Sequence, residues 1–98
     1  SEKLTVKDMR ELKERLVYTR KICLDEGINA ESHIYAGKVA EEIVTASADY
    51  RGTMIAVGSE GEKPLLKRIF KGDTINTVIK NAAVPVLIVP VPVPVSRD

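Results

Sequence analysis

The chain has 98 residues, of which 44% are hydrophobic and 30% are charged, and its formal net charge is +1. This length allows one small domain, and the composition is that of an ordinary soluble globular protein. The near-neutral charge argues against nucleic acid or an anionic membrane as a bulk partner, and no apolar run reaches the roughly 18 residues that span a bilayer. The single cysteine, Cys23, excludes an internal disulfide and fits a reducing compartment, so we expect the protein to be cytoplasmic.

The first predicted element is an amphipathic surface helix of about five turns. Thr5 and Asp8 have the spacing of a capping box, and Gly27 is a natural stop beyond the helix. The apolar positions recur at helical spacing. They are Met9, Leu12, Leu16 and Cys23, with Val17 and Leu24 alongside.

Four further elements follow in the sequence. Residues 28–36 alternate between two faces, which predicts a half-exposed strand at a sheet edge. A second helix runs from Val39 to near Gly52, and the short apolar run at residues 53–57 is typical of a strand covered on both faces. A third helix covers residues 74–81, and residues 84–95 form a β-branched run with four prolines.

The alternation of helices and strands predicts an α/β layer fold with parallel strands. Only three strands are predicted, however, and the first element is a helix. A parallel sheet needs both faces covered, so a sheet this small is rarely self-sufficient. The sequence therefore looks like part of a domain.

A glycine-punctuated loop joins the second predicted strand to the third helix. Gly58 and Gly61 open it, and Gly72 closes it just before the helix. Glycines let the backbone approach a phosphate, and the first amides of a helix are donors at the positive end of its dipole. This arrangement is suited to anions.

These residues resemble the universal stress protein family. Gly58-x-x-Gly61, followed after ten residues by Gly72, is similar to the family's glycine signature, in which the spacing is nine and Ser or Thr stands in the place of Asp73. Residues 37–43 look like its helix-opening segment, and residues 81–89 look like its closing helix-to-strand passage. The resemblance runs from about Thr5 to Val91 and corresponds to roughly the last two-thirds of the domain.

The resemblance implies a flavodoxin-like, doubly wound parallel sheet of five strands with helices on both faces. Residues 1–98 would form one such domain, here lacking the first strand, helix and second strand, with an extended Pro/Val tail at residues 90–98. The absent strands would lie between the strand at residues 28–36 and the strand at residues 53–57. We therefore expect either a separate N-terminal fragment that pairs with this chain, or an N-terminal portion that precedes these 98 residues.

Some members of the family bind ATP through the glycine loop, and others bind no nucleotide. Carried over to this chain, the resemblance implies an adenine-nucleotide site, with Mg²⁺ if nucleotide is bound. Its residues would be Gly58, Ser59, Glu60, Gly61, Gly72, Asp73 and Thr74. Basic residues between Lys63 and Lys71 suit phosphate, although such residues are more often a solvated loop face.

Asp73 argues for the alternative, a tight turn followed by a self-capped helix. A carboxylate at an N-cap accepts the unpaired amides itself, so it competes with phosphate for them and repels it. Glu60 adds a second negative charge, and the tenth residue of the spacing shifts the loop's register.

No other group of residues predicts catalysis or metal binding. His33 and Cys23 lie ten residues apart on different elements, so no zinc site of usual spacing can form, and Cys23 is expected in the core. Glu41 and Glu42 are adjacent on a helix and point in different directions. Nucleophile elbows, Walker loops and Ser/His/Asp groupings are absent from the sequence, so we expect no enzyme.

The tail predicts a homodimer contact. Pro90, Pro92 and Pro94 remove donors from one strand edge only, and the resemblance places the closing strand at the sheet edge, where dimer mates meet. A simple proline-protected tail is the alternative.

Three functions stay open at this point. The first is a homodimeric, nucleotide-responsive regulator. The second is a dimerisation or signalling module of the same family without nucleotide. The third is a regulatory domain of a larger chain, such as a transporter.

Overall fold

The computed structural model of the chain describes residues 4–58 and 73–90. These residues form three helices and two strands. In chain order they are α1 (Val6–Asp25), α2 (Val39–Asp49), β1 (Ile55–Gly58), α3 (Thr74–Asn81) and β2 (Val86–Val89). The chain divides into two compact units, Ser1–Tyr35 and Ala36–Asp98. The tail at residues 91–98 lies outside the described residues.

A capping box starts α1, as predicted. The Thr5 hydroxyl accepts a hydrogen bond from the Asp8 amide over 3.0 Å, and the Asp8 carboxylate accepts one from the Thr5 amide over 3.0 Å. Two donors that the first turn would leave unpaired are thereby satisfied. Asp8 is buried although it is charged, because the reciprocal bonds hold it against the turn.

The predicted stop at Gly27, beyond the end of α1 at Asp25, is also confirmed. Gly27 has a φ of +76°, and its amide donates to the Leu24 carbonyl over 3.0 Å. The Ile28 amide donates to the Cys23 carbonyl over 2.8 Å. These two bonds form a Schellman motif, which satisfies carbonyls of the last turn and needs a left-handed residue that glycine adopts without steric cost.

The apolar side chains of α1 divide into two sets. The predicted stripe of Met9, Leu12, Leu16 and Cys23 is half-buried. Val17 and Leu24, which the sequence placed beside that stripe, are 68% and 43% exposed. Both lie on a different side of the helix, since each residue turns the helix by about 100°.

The predicted strand at residues 28–36 is wrong, because none of these residues belongs to a strand. An alternating sequence shows only that the two faces of a segment would differ in polarity. A strand also needs a neighbouring strand whose amides and carbonyls pair with its own. The residues that the structure describes offer no such neighbour. The segment is instead linked to α1 by the Arg20 side chain, whose Nε donates to the Ala30 carbonyl over 2.9 Å.

The second unit contains a parallel pair of strands, so the predicted α/β fold with parallel strands is confirmed. Ile55 lies opposite Val86, and Gly58 lies opposite Val89. Ile55, Val57 and Val78 are buried and form the core, with Val78 fully buried. Partly buried side chains from α2, α3, the link from α3 to β2 and β2 itself pack against it; they are Ala40, Ile43, Ile75, Ala82, Val84 and Val86.

The sheet is covered on one face only among the described residues, which corrects the prediction that its central strand is covered on both. Along β1, Ile55 and Val57 are buried while Ala56 and Gly58 are exposed. On the exposed face of β2, Leu87 is 49% and Val89 is 45% exposed. The reason is that α2 and α3 pack against the same buried residues of β1.

The turn between α2 and β1 holds a strained residue. Arg51 has a φ of +51°, the left-handed region that glycine favours. Its amide donates to the Ala48 carbonyl over 3.2 Å, and the Gly52 amide donates to the Ser47 carbonyl over 2.8 Å. This is a second Schellman motif, with arginine in the place where glycine is usual.

Replacing Thr5 by alanine should lower the free energy of unfolding by about 1 kcal/mol, because the Asp8 amide loses its acceptor. Urea unfolding followed by circular dichroism measures this change. Thr19→Ala is the matched control: Thr19 is exposed in the middle of α1, so its replacement should cause no loss. Equal stability of Thr5→Ala and the unsubstituted chain would contradict the capping role.

Replacing Arg51 by glycine should raise the free energy of unfolding by about 0.5–1 kcal/mol, because glycine lacks the Cβ that opposes a left-handed backbone. Arg51→Ala keeps the Cβ and should give no gain. Thermal unfolding of the two variants side by side compares them directly, and a gain of the same size in both would show that backbone strain is not the cause.

Candidate functional site

The described ends of the glycine loop lie at one edge of the sheet. β1 ends at Gly58, beside Val89 at the end of β2. Because α3 connects two parallel strands, it runs back from the carboxyl edge of the sheet toward the amino edge. Its first residue, Thr74, therefore starts at the edge where Gly58 ends, which is where α/β proteins bind anionic ligands.

Gly58 is open to approach. It is exposed, and a Cβ built on it would meet no atom within 4 Å. Its φ is not in the left-handed range, since the positive-φ glycines of the described residues are Gly27 and Gly37. The fold therefore does not require glycine at this position, and its backbone is accessible to a ligand.

Asp73 does not cap α3 with its side chain, which corrects the prediction of a self-capped helix. Asp73 is the N-cap residue, but its side chain makes no capping hydrogen bond. Its ψ is 22°, whereas the capping residue Thr5 has a ψ of 168°. An N-cap side chain reaches the first-turn amides from extended backbone, and Asp73 is not extended.

The Asp73 carboxylate still places a negative charge at the start of α3. A second unit charge about 4 Å away in water would be repelled by roughly 1 kcal/mol. The helix end partly offsets this repulsion, because its dipole favours anions. Asp73 therefore weakens an anion site by charge, without occupying the amides of the first turn.

The remaining predicted site residues lie outside the described residues. They are Ser59, Glu60, Gly61 and Gly72, together with the basic residues between Lys63 and Lys71. The parallel register of β1 and β2 assigns Gly58, Asp73 and Thr74 to the carboxyl edge of the sheet, and the glycine signature is continuous with them in the sequence.

A comparison with known protein families identifies the family to which the chain belongs. The family model described as "Universal stress protein family" matches residues 1–90 of the chain. The chain belongs to the universal stress protein family. Comparisons with curated proteins and with solved structures gave no match. Among the described helices, none is long and apolar enough to cross a membrane.

The packing of α3 against β1 fixes the position of this helix on the sheet. Val78 is fully buried against β1, with Ile75 of the same helix and the C-cap residue Ala82 beside it. The last turn is tied by the Asn81 side chain, which donates to the Thr77 carbonyl over 3.0 Å. Lys80 in that turn suits the negative end of the helix dipole.

The other residues considered for chemistry lie apart from this edge in the sequence and form no metal-binding group. His33 is exposed, and its Nε2 lies 3.5 Å from a carboxylate oxygen of Glu31. Cys23 is a half-buried free thiol. Among the described residues, no group of three or more His, Cys, Asp or Glu side chains could hold a metal ion.

Sequence reasoning missed a groove that runs along α1. Its volume is ≈ 660 Å³. Its lining residues are Val6, Met9, Arg10, Lys13, Glu14, Val17, Tyr18 and Lys21. The sequence did contain a signal for this groove: α1 carries exposed apolar residues, such as Val17, beside its half-buried apolar stripe. Two apolar stripes on one helix indicate two contact faces.

Replacing Val78 by alanine should lower the free energy of unfolding by about 2 kcal/mol, because the cavity left between α3 and β1 cannot fully close. Ile79→Ala is the control, since Ile79 is the next residue and is 51% exposed. Chemical denaturation of both variants should show the larger loss for Val78. Losses of equal size would contradict the packing of α3 described above.

Proposed function

We propose that this universal stress protein domain is a regulator that binds an ATP-class nucleotide at the carboxyl edge of β1 and does not turn it over. One feature supports the proposal: the strand that ends in open backbone at Gly58 is followed in the chain by a helix that its N-cap side chain does not cap, and a helix between parallel strands starts at the carboxyl edge of the sheet. Backbone amides at such an edge bind phosphate without side-chain chemistry.

The nucleotide phosphates would lie along the loop from β1 to α3. Gly58, Ser59, Glu60 and Gly61 would follow one side of the phosphates, and Gly72, Asp73 and Thr74 would supply amides at the helix start. These residues fit a nucleotide phosphate, because Gly58 leaves open space next to its backbone. Mg²⁺ bound with the nucleotide would offset the negative charges of Asp73 and Glu60.

A universal stress protein without nucleotide, acting as a dimerisation or signalling module, is the second candidate. The carboxylate of Asp73 favours it, since this charge lies at the start of α3 and would repel a phosphate bound there. The same module could serve as the regulatory domain of a larger chain, such as a transporter. Either role would be carried out in the cytoplasm.

The outer edge of β2 is the proposed homodimer contact. The Ile55 amide donates to the Pro85 carbonyl over 2.9 Å, so the polar groups of Leu87 and Val89 face β1 as well. Val86 and Ile88 then face outward, in phase with Pro90. Pro90 has no amide hydrogen, so it limits strand addition at this edge to a short, defined contact.

Isothermal titration with ATP and Mg²⁺ tests the nucleotide site. Gly58→Ala should weaken binding by about 10-fold or more, because the Cβ fills the space beside the backbone while meeting no protein atom. Ala56→Ser is the matched control: it adds one heavy atom at an exposed position of the same strand and should leave affinity unchanged.

Asp73→Ser separates the two candidate functions. If the proposal is right, the unsubstituted chain binds nucleotide and the serine variant binds it several-fold more tightly, because one like charge is removed. Binding by the serine variant alone would favour the module without nucleotide. Failure of both proteins to bind would overturn the proposed nucleotide site.

A further inference from the structure

A second, smaller pocket lies where the chain turns back after α1. Its volume is ≈ 400 Å³, and its lining residues are Val17 and Arg20 of α1 together with Glu31, Ser32 and His33. All of these residues belong to the first compact unit, Ser1–Tyr35. The pocket therefore depends on contacts within that unit, and it shares no residue with the proposed nucleotide site.

Two local features bring the walls of this pocket together. The Schellman motif at Gly27 ends α1 and turns the chain. The Arg20 Nε then donates to the Ala30 carbonyl over 2.9 Å, which holds the returning segment beside the helix. Val17 and Arg20 are three residues apart and share a helix face, so the residues that follow Ala30 meet both of them.

The bond to Ala30 also fixes the direction of the Arg20 guanidinium. Among the described residues, Arg20 makes no other hydrogen bond or ion pair. The N–H groups on its two terminal nitrogens are therefore left for a ligand. This end of a guanidinium matches a carboxylate, which accepts two parallel hydrogen bonds from it.

Glu31 supplies the opposite charge in the same pocket. Its carboxylate oxygen lies 3.5 Å from the His33 Nε2, and its side chain is 70% exposed. Within the part of the chain that the structure describes, His33 is its only charged partner. Arg20 and Glu31 thus line one pocket without pairing with each other.

We propose that this pocket binds a free α-amino acid with an apolar side chain. Arg20 binds the carboxylate of the ligand, and Glu31 binds its ammonium group. The ligand's side chain packs on Val17, which is 68% exposed, and Ser32 adds a hydroxyl to the lining. This site goes beyond the proposed nucleotide function and does not depend on it.

A zwitterion fits these charges better than a simple ion does. An anion such as phosphate would be attracted by Arg20 and repelled by Glu31, and a simple amine would meet the reverse. A zwitterion makes both contacts in one molecule, so the first contact raises the effective concentration for the second. Both are needed, because a single exposed ion pair contributes little.

Isothermal titration of the full chain with leucine tests the site, and saturable binding at millimolar leucine is expected. N-acetylleucine lacks the ammonium charge, and leucinamide lacks the carboxylate. Each should bind at least about 10-fold more weakly than leucine, because each loses one charge-assisted contact. Inorganic phosphate should also bind more weakly than leucine, since Glu31 repels it.

Two variants assign the ligand's charges to residues. Glu31→Gln keeps the shape of the side chain, and it should weaken leucine binding about 10-fold without weakening the binding of N-acetylleucine. Arg20→Gln should weaken the binding of leucine and of N-acetylleucine, while leucinamide, which needs only Glu31, should bind as before. This crossed pattern would not arise from a general loss of structure, and circular dichroism checks folding.

Glu26→Gln is the matched control, because Glu26 is an exposed carboxylate of the same unit outside the pocket. It should leave the affinity for leucine unchanged. The proposal is overturned if leucine shows no saturable binding, if N-acetylleucine or phosphate binds as tightly as leucine, or if Glu31→Gln has no more effect than Glu26→Gln.

Discussion

The packing of Val78 against Ile55 and Val57 is the contact on which the second unit depends. It joins a helix of eight residues to a pair of four-residue strands, none of which would be stable alone. It also decides where the helix begins, because α3 cannot shift along the sheet without exposing Val78. The start of α3 and the end of β1 are therefore held at one edge by apolar burial, and the chemistry proposed there rests on that burial.

Two N-cap residues of the same chain show how backbone geometry decides the role of a side chain. Thr5 has extended backbone and closes a capping box with Asp8, whereas Asp73 has a ψ of 22° and makes no capping bond. Both residue types are good caps in general. The difference matters for function. The capping box satisfies amide donors in the first turn of α1, whereas the Asp73 side chain accepts no hydrogen bond from the first turn of α3.

Local signals in the sequence predicted the elements that depend on local interactions. The capping box at Thr5, the stop at Gly27 and the helix at residues 74–81 were all predictable, since each rests on contacts a few residues apart. The strand at residues 28–36 was predicted wrongly because pairing is not a local property. Asp73 was predicted correctly at the start of the helix. Its ψ could not be predicted from the residue type, so the prediction that its side chain caps the helix was wrong.

Nucleotide is proposed to bind at the carboxyl edge of β1. Backbone amide NMR of the isotope-labelled chain during titration with ATP and Mg²⁺ tests this site most directly, because each amide reports its own surroundings. Saturable shifts are expected to be concentrated at Gly58, Asp73 and Thr74, with the amides of α1 unchanged. Saturable shifts confined to α1, or no shifts at millimolar nucleotide, would contradict it.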